Sequence, residues 1–285
     1  MNYQNVCTQS NPGHLIIVID QNAYMKEFSS SGLTLAQRAT YFANRLINEL
    51  ELACFSGSCT KRLTKVTIIG YGGINNDVNV IHDSYIDCLA EDNNISIVTF
   101  EYPFCNTTRE TRIICELKRF VEPLANGDIK TADAFRKVKT MIIAESTFSK
   151  KRNHQLDPVP IIIHISTNLN PHITNEYEEV LKSITDISLP NGNPLIMNCV
   201  LTKNDTFRDS YPDTLKGEVN NLEKYFKNSS SIPEAFIPTL HYLGYPNLTT
   251  ANKAIMINSE DNNTAYVFGV MQLGGSEPNM IRYNG

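Results

Sequence analysis

Asp20 closes the run His14-Leu-Ile-Ile-Val-Ile-Asp20, in which five consecutive aliphatic residues lead to one carboxylate. A strand buried on both faces reads as an unbroken apolar run, and the polar residue at its end marks the C-terminal edge of the sheet. In α/β proteins that edge is where ligands bind. Asn22 and Tyr24 follow at alternate positions. A carboxylate placed there could hold a divalent cation, accept a phosphoryl group, or cap the strand end by accepting backbone N–H bonds. Capping asks for the least and is the simplest expectation for Asp20.

Phosphoryl transfer asks for more partners than the sequence offers. A haloacid-dehalogenase-type site wants a second Asp two residues on, and Asn22 stands there. A receiver-type site wants an acidic pair ahead of the strand, and residues 1–13 contain no acid. No GxSxG elbow, HExxH or Walker loop occurs. Gly70-Tyr-Gly-Gly73 lacks the continuation of a phosphate-binding loop and reads as a turn. Of the six histidines, His164 lies inside an apolar strand and reads as a satisfied core residue. His172 follows that strand on the expected functional rim. The aromatics Tyr24, Phe28 and Tyr71 are expected to crowd the same rim, where aromatic side chains can anchor an interface.

The elements that position these residues alternate. After the first strand, Thr34 is an N-cap for a helix to Leu52, with Leu35, Ala39, Phe42, Ala43, Leu46, Ile47 and Leu50 on one face. Residues 54–60 form a turn, 65–71 a second strand, 78–81 a short strand, and 95–100 a third or edge strand. Residues 106–120 are expected to be helical. Residues 131–148 form a helix with Ala134, Phe135, Val138, Met141, Ile142 and Ala144 as its stripe, and 149–157 a basic linker. Residues 159–166 form the most apolar strand, 177–184 a helix, 195–201 a strand, and 204–220 a loop. Residues 221–226 and 233–243 are short helical pieces, the latter begun by Pro233, and 254–257 is a short strand. Strands alternating with helices predict an α/β, Rossmann-like three-layer fold with a mostly parallel sheet of about six strands.

Composition excludes several classes. Charged residues make up 19% and the net charge is −5, so no basic footprint for nucleic acid or anionic lipid exists. No apolar run approaches the roughly 18 residues of a membrane span. The polar start MNYQNVCTQSNPG has no apolar segment of the signal-peptide kind. Seven scattered cysteines suit a reducing compartment. Cys54 and Cys59 are the one close pair, and no second pair completes a zinc site. These features together point to a cytoplasmic protein.

The order of elements resembles a von Willebrand factor A (VWA) domain, in particular the bacterial tellurite-resistance and stress-associated branch. In that family the first strand ends in Asp-x-Ser-x-Ser, a later loop offers a Thr, and the fourth strand ends in Thr-Asp-Gly; together they hold a divalent ion, usually Mg²⁺. The matching stretches here are HLIIVID at 14–20, KVTIIGYGG at 65–73, LANG at 124–127 with ADAF at 132–135, and PIIIHISTN at 160–168. NSSSIP at 228–233 and NKAIMIN at 252–258 echo the branch as well. The likeness covers residues 13–260, leaving 1–12 and 261–285 as terminal extensions.

Of the metal motif only Asp20 is kept. Asn22 and Tyr24 replace the two serines, Ile129 aligns with the Thr position beside Thr131, and Thr167 replaces the fourth-strand Asp. The resemblance implies a degenerate metal-ion-dependent adhesion site made of Asp20, Asn22, Thr131 and Thr167. It also implies a partner-binding rim of Tyr24, Asp128, Asn168 and His172, with Asp128 a spare acid. The expectation is a non-enzymatic protein–protein interaction module in bacterial stress or phospho-signalling, with no cofactor and an unidentified protein as partner. Mg²⁺-dependent adhesion through altered ligation and phosphoryl transfer at Asp20 are the alternatives.

Overall fold

The computed structural model describes residues 3, 6–73, 75, 77–106, 109–148, 155, 157–171, 174–204, 207–215 and 221–259, with backbone only at 102–106, 109–113, 147 and 148. β1 is Gly13–Asp20, followed by a 3-10 turn at Ala23–Lys26 and helix α1 at Leu35–Ala53. The two-residue strands β2 (Phe55–Ser56) and β3 (Cys59–Thr60) precede β4 (Thr64–Tyr71), β5 (Val78–Tyr85) and α2 (Ile86–Ala90). Next come β6 (Ile97–Asn106), β7 (Arg109–Lys118), α3 (Thr131–Phe148), β8 (Ile161–Thr167), α4 (Asn175–Thr185) and β9 (Leu195–Leu201). β10 (Asp209–Ser210), α5 (Leu222–Asn228), a 3-10 turn at Glu234–Phe236, α6 (Ile237–Tyr242) and β11 (Ile255–Ile257) complete the order.

Among the described residues the main sheet has seven strands in the order β10-β11-β9-β8-β1-β4-β5. β1 runs parallel to both β4 and β8, and β8–β9 and β9–β11 are parallel pairs. Only the edge strands β5 and β10 are antiparallel. The chain leaves β1 towards β4 on one side and resumes at β8 on the other. The strand order therefore reverses between β1 and β8, the switch point at which doubly wound sheets bind ligands.

Both faces of the sheet are covered. Leu15, Ile17, Ile19, Val66, Ile68, Ile161, Ile163 and Ile165 pack with α1 residues such as Leu35, Phe42, Leu46 and Leu50. Ile16, Val18, Ile69 and Ile162 pack on the other side with Phe135, Val138 and Ile142 of α3 and Tyr177, Leu181 and Ile184 of α4. Each such aliphatic side chain contributes about 1.5–3 kcal/mol by leaving water, which is why β1 and β8 read as continuous apolar runs. Thr34 caps α1 in a capping box: its Oγ1 accepts the Gln37 N–H at 3.1 Å, and Gln37 Oε1 accepts the Thr34 N–H at 2.9 Å.

Several expectations are corrected. Residues 106–120 are not helical: 97–106 and 109–118 form a separate antiparallel ribbon. The stretch Thr-Arg-Ile-Ile-Cys-Glu-Leu-Lys alternates in character with period two, and cross-strand pairing outcompetes the helical reading. Val98, Phe100, Cys115 and Leu117 are the partly buried side of this ribbon, while Ile97 and Ile114 are exposed. The strand at 78–81 extends to Tyr85. The loop at 204–220 carries β10 on its described part. Pro233 precedes a 3-10 turn rather than opening a helix; Pro238, in the first turn of α6, has that role. Among the described residues the sheet has seven strands, β10 adding an edge to the expected set of about six. The linker at 149–157 and the tail after 259 lie largely or wholly outside the described residues.

Candidate functional site

Strand alternation decides which side chains meet at the switch point. Ile16 and Val18 face α3 and α4, so Asp20 faces the same way. Ile162 of β8 faces that side too, and Ser166 keeps its parity. Because Ile19 pairs with Ile165, Ser166 stands beside Asp20 at the end of the ladder. Ser166 Oγ donates to Asp20 Oδ2 at 2.7 Å, and Asn170 Nδ2 donates to the same oxygen at 3.3 Å. The Asn22 N–H donates to Oδ1 at 3.0 Å. Both carboxylate oxygens are thus engaged by the protein. Asp20 is buried, and desolvation pushes its carboxyl up to about 6, opposed by hydrogen bonds from Asn22, Ser166, Tyr71 and Asn170.

A polar network continues beneath it. Tyr225 Oη lies 2.9 Å from Ser166 Oγ and donates to the Thr167 carbonyl at 3.1 Å. Tyr71 Oη lies 2.9 Å from His164 Nε2, while His164 Nδ1 faces Asn198 Oδ1 and Tyr177 Oη, each at 3.2 Å. Asn198 Nδ2 donates to the Tyr225 carbonyl at 3.2 Å and to Ser229 Oγ at 2.9 Å. Burial pushes His164 down to about 3, so the ring is neutral. It is the satisfied core histidine that its sequence context predicts. Tyr71, expected on the rim, is fully buried in this network, since its parity in β4 is that of Ile69.

The other expected residues separate. Asn22 is buried, and its Oδ1 accepts the Tyr24 N–H at 2.8 Å, capping the 3-10 turn. Its Nδ2 has no partner among the described residues, and the same holds for Gln21 Nε2 and Asn168 Oδ1. Thr131 opens α3, is buried, and its Oγ1 accepts from Asn170 Nδ2 at 3.3 Å. Thr167 has the parity of Ile163 and Ile165, so its side chain lies on the α1 side, away from Asp20; its Oγ1 accepts the Leu169 N–H at 3.3 Å. Ser166 occupies the place beside Asp20 instead. Tyr24 is 42% and Phe28 65% exposed, and Asp128 is exposed. Asn168 is buried, its carbonyl taken by Asn221 Nδ2 at 3.1 Å. His172 lies outside the described residues.

Ser166, Asn170 and Tyr225 escape the sequence reading, and Tyr71, expected on the rim, belongs to the buried network. Ser166 had a signal, the shared parity of two adjacent apolar strands. Asn170 and Tyr225 had none, because loop and helix contacts bring them in. Among the described residues no three His, Cys, Asp or Glu side chains converge as a metal would require, and no helix is long and apolar enough to cross a membrane.

The fold and switch point define a doubly wound, three-layer α/β domain with a mostly parallel sheet. No protein-family model matches the sequence, and no curated protein matches it. Structural similarities are distant. The manganese-loaded TRAP protein of Plasmodium vivax aligns at 12% identity and a TM-score of 0.44, over 93% of this chain and 74% of that one. The pilus adhesin SpaC of Lactobacillus rhamnosus GG aligns at 9% identity and a TM-score of 0.42, over 69% of this chain and 25% of that one. The minor pilin PilB of Streptococcus sanguinis aligns at 8% identity and a TM-score of 0.41, over 93% of this chain and 63% of that one. The chain thus spans a quarter of the length of the adhesin and under two thirds of the pilin.

Proposed function

We propose that the chain is a VWA-type protein-interaction module, not an enzyme, that holds a partner protein at the C-terminal rim of its sheet without a bridging metal. The observation that carries this reading is the closed state of Asp20: Asn22, Ser166 and Asn170 already donate to its two oxygens. A divalent ion needs several free oxygen ligands. The residues do not fit one. Asn22 spends its carbonyl on the Tyr24 N–H and leaves only Nδ2, a donor that would repel a cation. Thr167 belongs to the other face, and Thr131 lies against Asn170. A phosphoryl-accepting role for Asp20 is disfavoured by the same burial and bonding. The exposed Tyr24 and Phe28 support an aromatic contact surface. Placement in the cytoplasm is supported by the scattered cysteines, and a role in bacterial stress or phospho-signalling by the sequence resemblance alone.

Calorimetric titration of Mg²⁺ and Mn²⁺ into metal-stripped protein tests the reading. No saturable heat is expected. Saturable binding that disappears in Asp20→Ala would overturn the metal-free reading and restore Mg²⁺-dependent adhesion through altered ligands.

A further inference from the structure

The turn Ala125-Asn126-Gly127 takes no part in the hydrogen bonds that close Asp20, yet it is fastened to the residues just after it. The Asn126 N–H donates to the Gln21 carbonyl at 3.2 Å, and the Ala23 N–H donates to the Gly127 carbonyl at 2.9 Å. An isolated parallel bridge pairs Gly127 with Asn22. The turn therefore holds the start of the 3-10 turn that carries Tyr24. The Asn126 side chain is exposed and makes no hydrogen bond among the described residues.

Asn followed by Gly carries an electrophile and a nucleophile in adjacent residues. Asparagine is a chemically labile side chain, and glycine has no Cβ to hinder approach to its nitrogen. We propose that Asn126 is a modification site, at which spontaneous deamidation places a carboxylate on the rim and loosens the turn. The Gly127 nitrogen attacks Asn126 Cγ, and a carbon–nitrogen bond forms. The bond from Cγ to the side-chain nitrogen breaks, and ammonia leaves with the Gly127 amide proton. Water then opens the resulting succinimide at one of its two carbonyls, so nothing is oxidised or reduced. One opening gives aspartate. The other gives isoaspartate, in which the main chain runs through Cβ and Cγ and is one atom longer. That atom enters between the two bonds that fasten the turn to Gln21 and Ala23, so both cannot keep their register.

The fold discriminates between identical dipeptides. Asn191-Gly192 has the same two residue types, but Asn191 is buried. The Gly192 N–H is already given to the Leu189 carbonyl at 3.2 Å, and the Gly192 carbonyl accepts the Leu189 N–H at 3.2 Å. Gly192 also lies against the Tyr3 ring, which a Cβ there would meet at 2.7 Å. Its nitrogen is neither accessible nor unengaged. The remaining pair, Asn284-Gly285, lies outside the described residues. The bearing of the conversion on a partner rests on the rim reading above; the conversion itself does not.

The test incubates the full chain in mildly alkaline buffer, with and without urea, and follows each Asn-Gly peptide by mass spectrometry with fragmentation that separates aspartate from isoaspartate. No partner is needed. In the folded protein Asn126 should convert at least about tenfold faster than Asn191, whose reaction waits on local opening. In urea the two should convert at similar rates. The isoaspartate form, separated by its added charge, should show Ala23 amide protection reduced by up to about tenfold, the scale of one lost hydrogen bond. Asn126→Gln should keep that protection throughout the incubation. Equal rates at Asn126 and Asn191 in the folded protein would overturn the proposal. So would a difference between them that persists in urea, or unchanged Ala23 protection in the isoaspartate form.

Discussion

Ser166 donates to Asp20 across the β8–β1 ladder at 2.7 Å, and this bond joins the two strands at the switch point of the sheet. It makes Asp20 the buried end of a network that continues through Tyr225, with the neutral His164 on the same face below it.

Asp20 and His164 impose opposite pH slopes on stability. Asp20 titrates near 3.8 unfolded and about 6 folded, so the folded protein holds this proton more tightly. Its contribution is fully present below the unfolded value and is lost as pH rises through about 6. His164 titrates near 6.5 unfolded and about 3 folded, so the unfolded chain takes up its proton first, and stability is lost as pH falls below about 6.5. Each slope is about 1.4 kcal/mol per pH unit. Between about pH 4 and about pH 6 the two should cancel, leaving a nearly flat profile. Asp20→Asn should then lose stability on acidification across that window, and His164→Gln should gain it. Urea midpoints measured at half-unit pH steps test this; parallel profiles for wild type and both variants would refute it.

Ser166→Ala should cost about 1–3 kcal/mol, because Asp20 Oδ2 loses its shorter donor in a dry site. The Asp20 carboxyl should titrate higher still, read from its side-chain ¹³C shift. Thr167→Val should leave that titration unmoved, since Thr167 lies on the other face. Equal effects of the two changes would show that the strand parity is misassigned.

Gly72 has φ +73°, and a Cβ there would meet the Asp128 carbonyl within contact distance. Gly72→Ala should therefore cost about 3 kcal/mol through strain and overlap together. Gly57 has φ +70° with open space around it, and Gly57→Ala should cost about 1 kcal/mol. Chemical denaturation separates the two. A Gly72→Ala protein as stable as Gly57→Ala would mean that the Asp128 loop yields freely.

Asn44 is fully buried in α1 and ties down the segment after the ribbon. Its Oδ1 accepts the Phe120 and Val121 N–H groups at 2.8 and 2.9 Å, and its Nδ2 donates to the Val121 carbonyl at 3.1 Å. Asn44→Ala should cost about 3 kcal/mol by orphaning these backbone groups. Unchanged amide exchange at Phe120 and Val121 in that variant would contradict the assignment.

Local patterns carried much of the fold. The runs at 14–20, 65–71, 159–166 and 195–201 are strands because their continuous apolar character suits burial on both faces. Thr34, the α1 stripe and the α3 stripe are legible because capping and helical periodicity act within a few residues. The strand expected at 95–100 is present within 97–106, whereas 109–118 reads as a helix because its short alternation competes with an equally short helical reading, and pairing with the preceding strand decides between them. At the site, Asp20 was legible as the polar end of an apolar run, and His164 as a satisfied core residue.

The sequence by itself determined which segments must be buried and in what order strands and helices alternate, since both follow from where apolar side chains fall along the chain. Only the tertiary structure decided what surrounds Asp20. The β1–β8 register selected Ser166 over Thr167, loop closure brought in Asn170, and α5 delivered Tyr225 from far along the chain. Such contacts depend on strand parity and on the approach of distant elements, and neither leaves a mark on local composition.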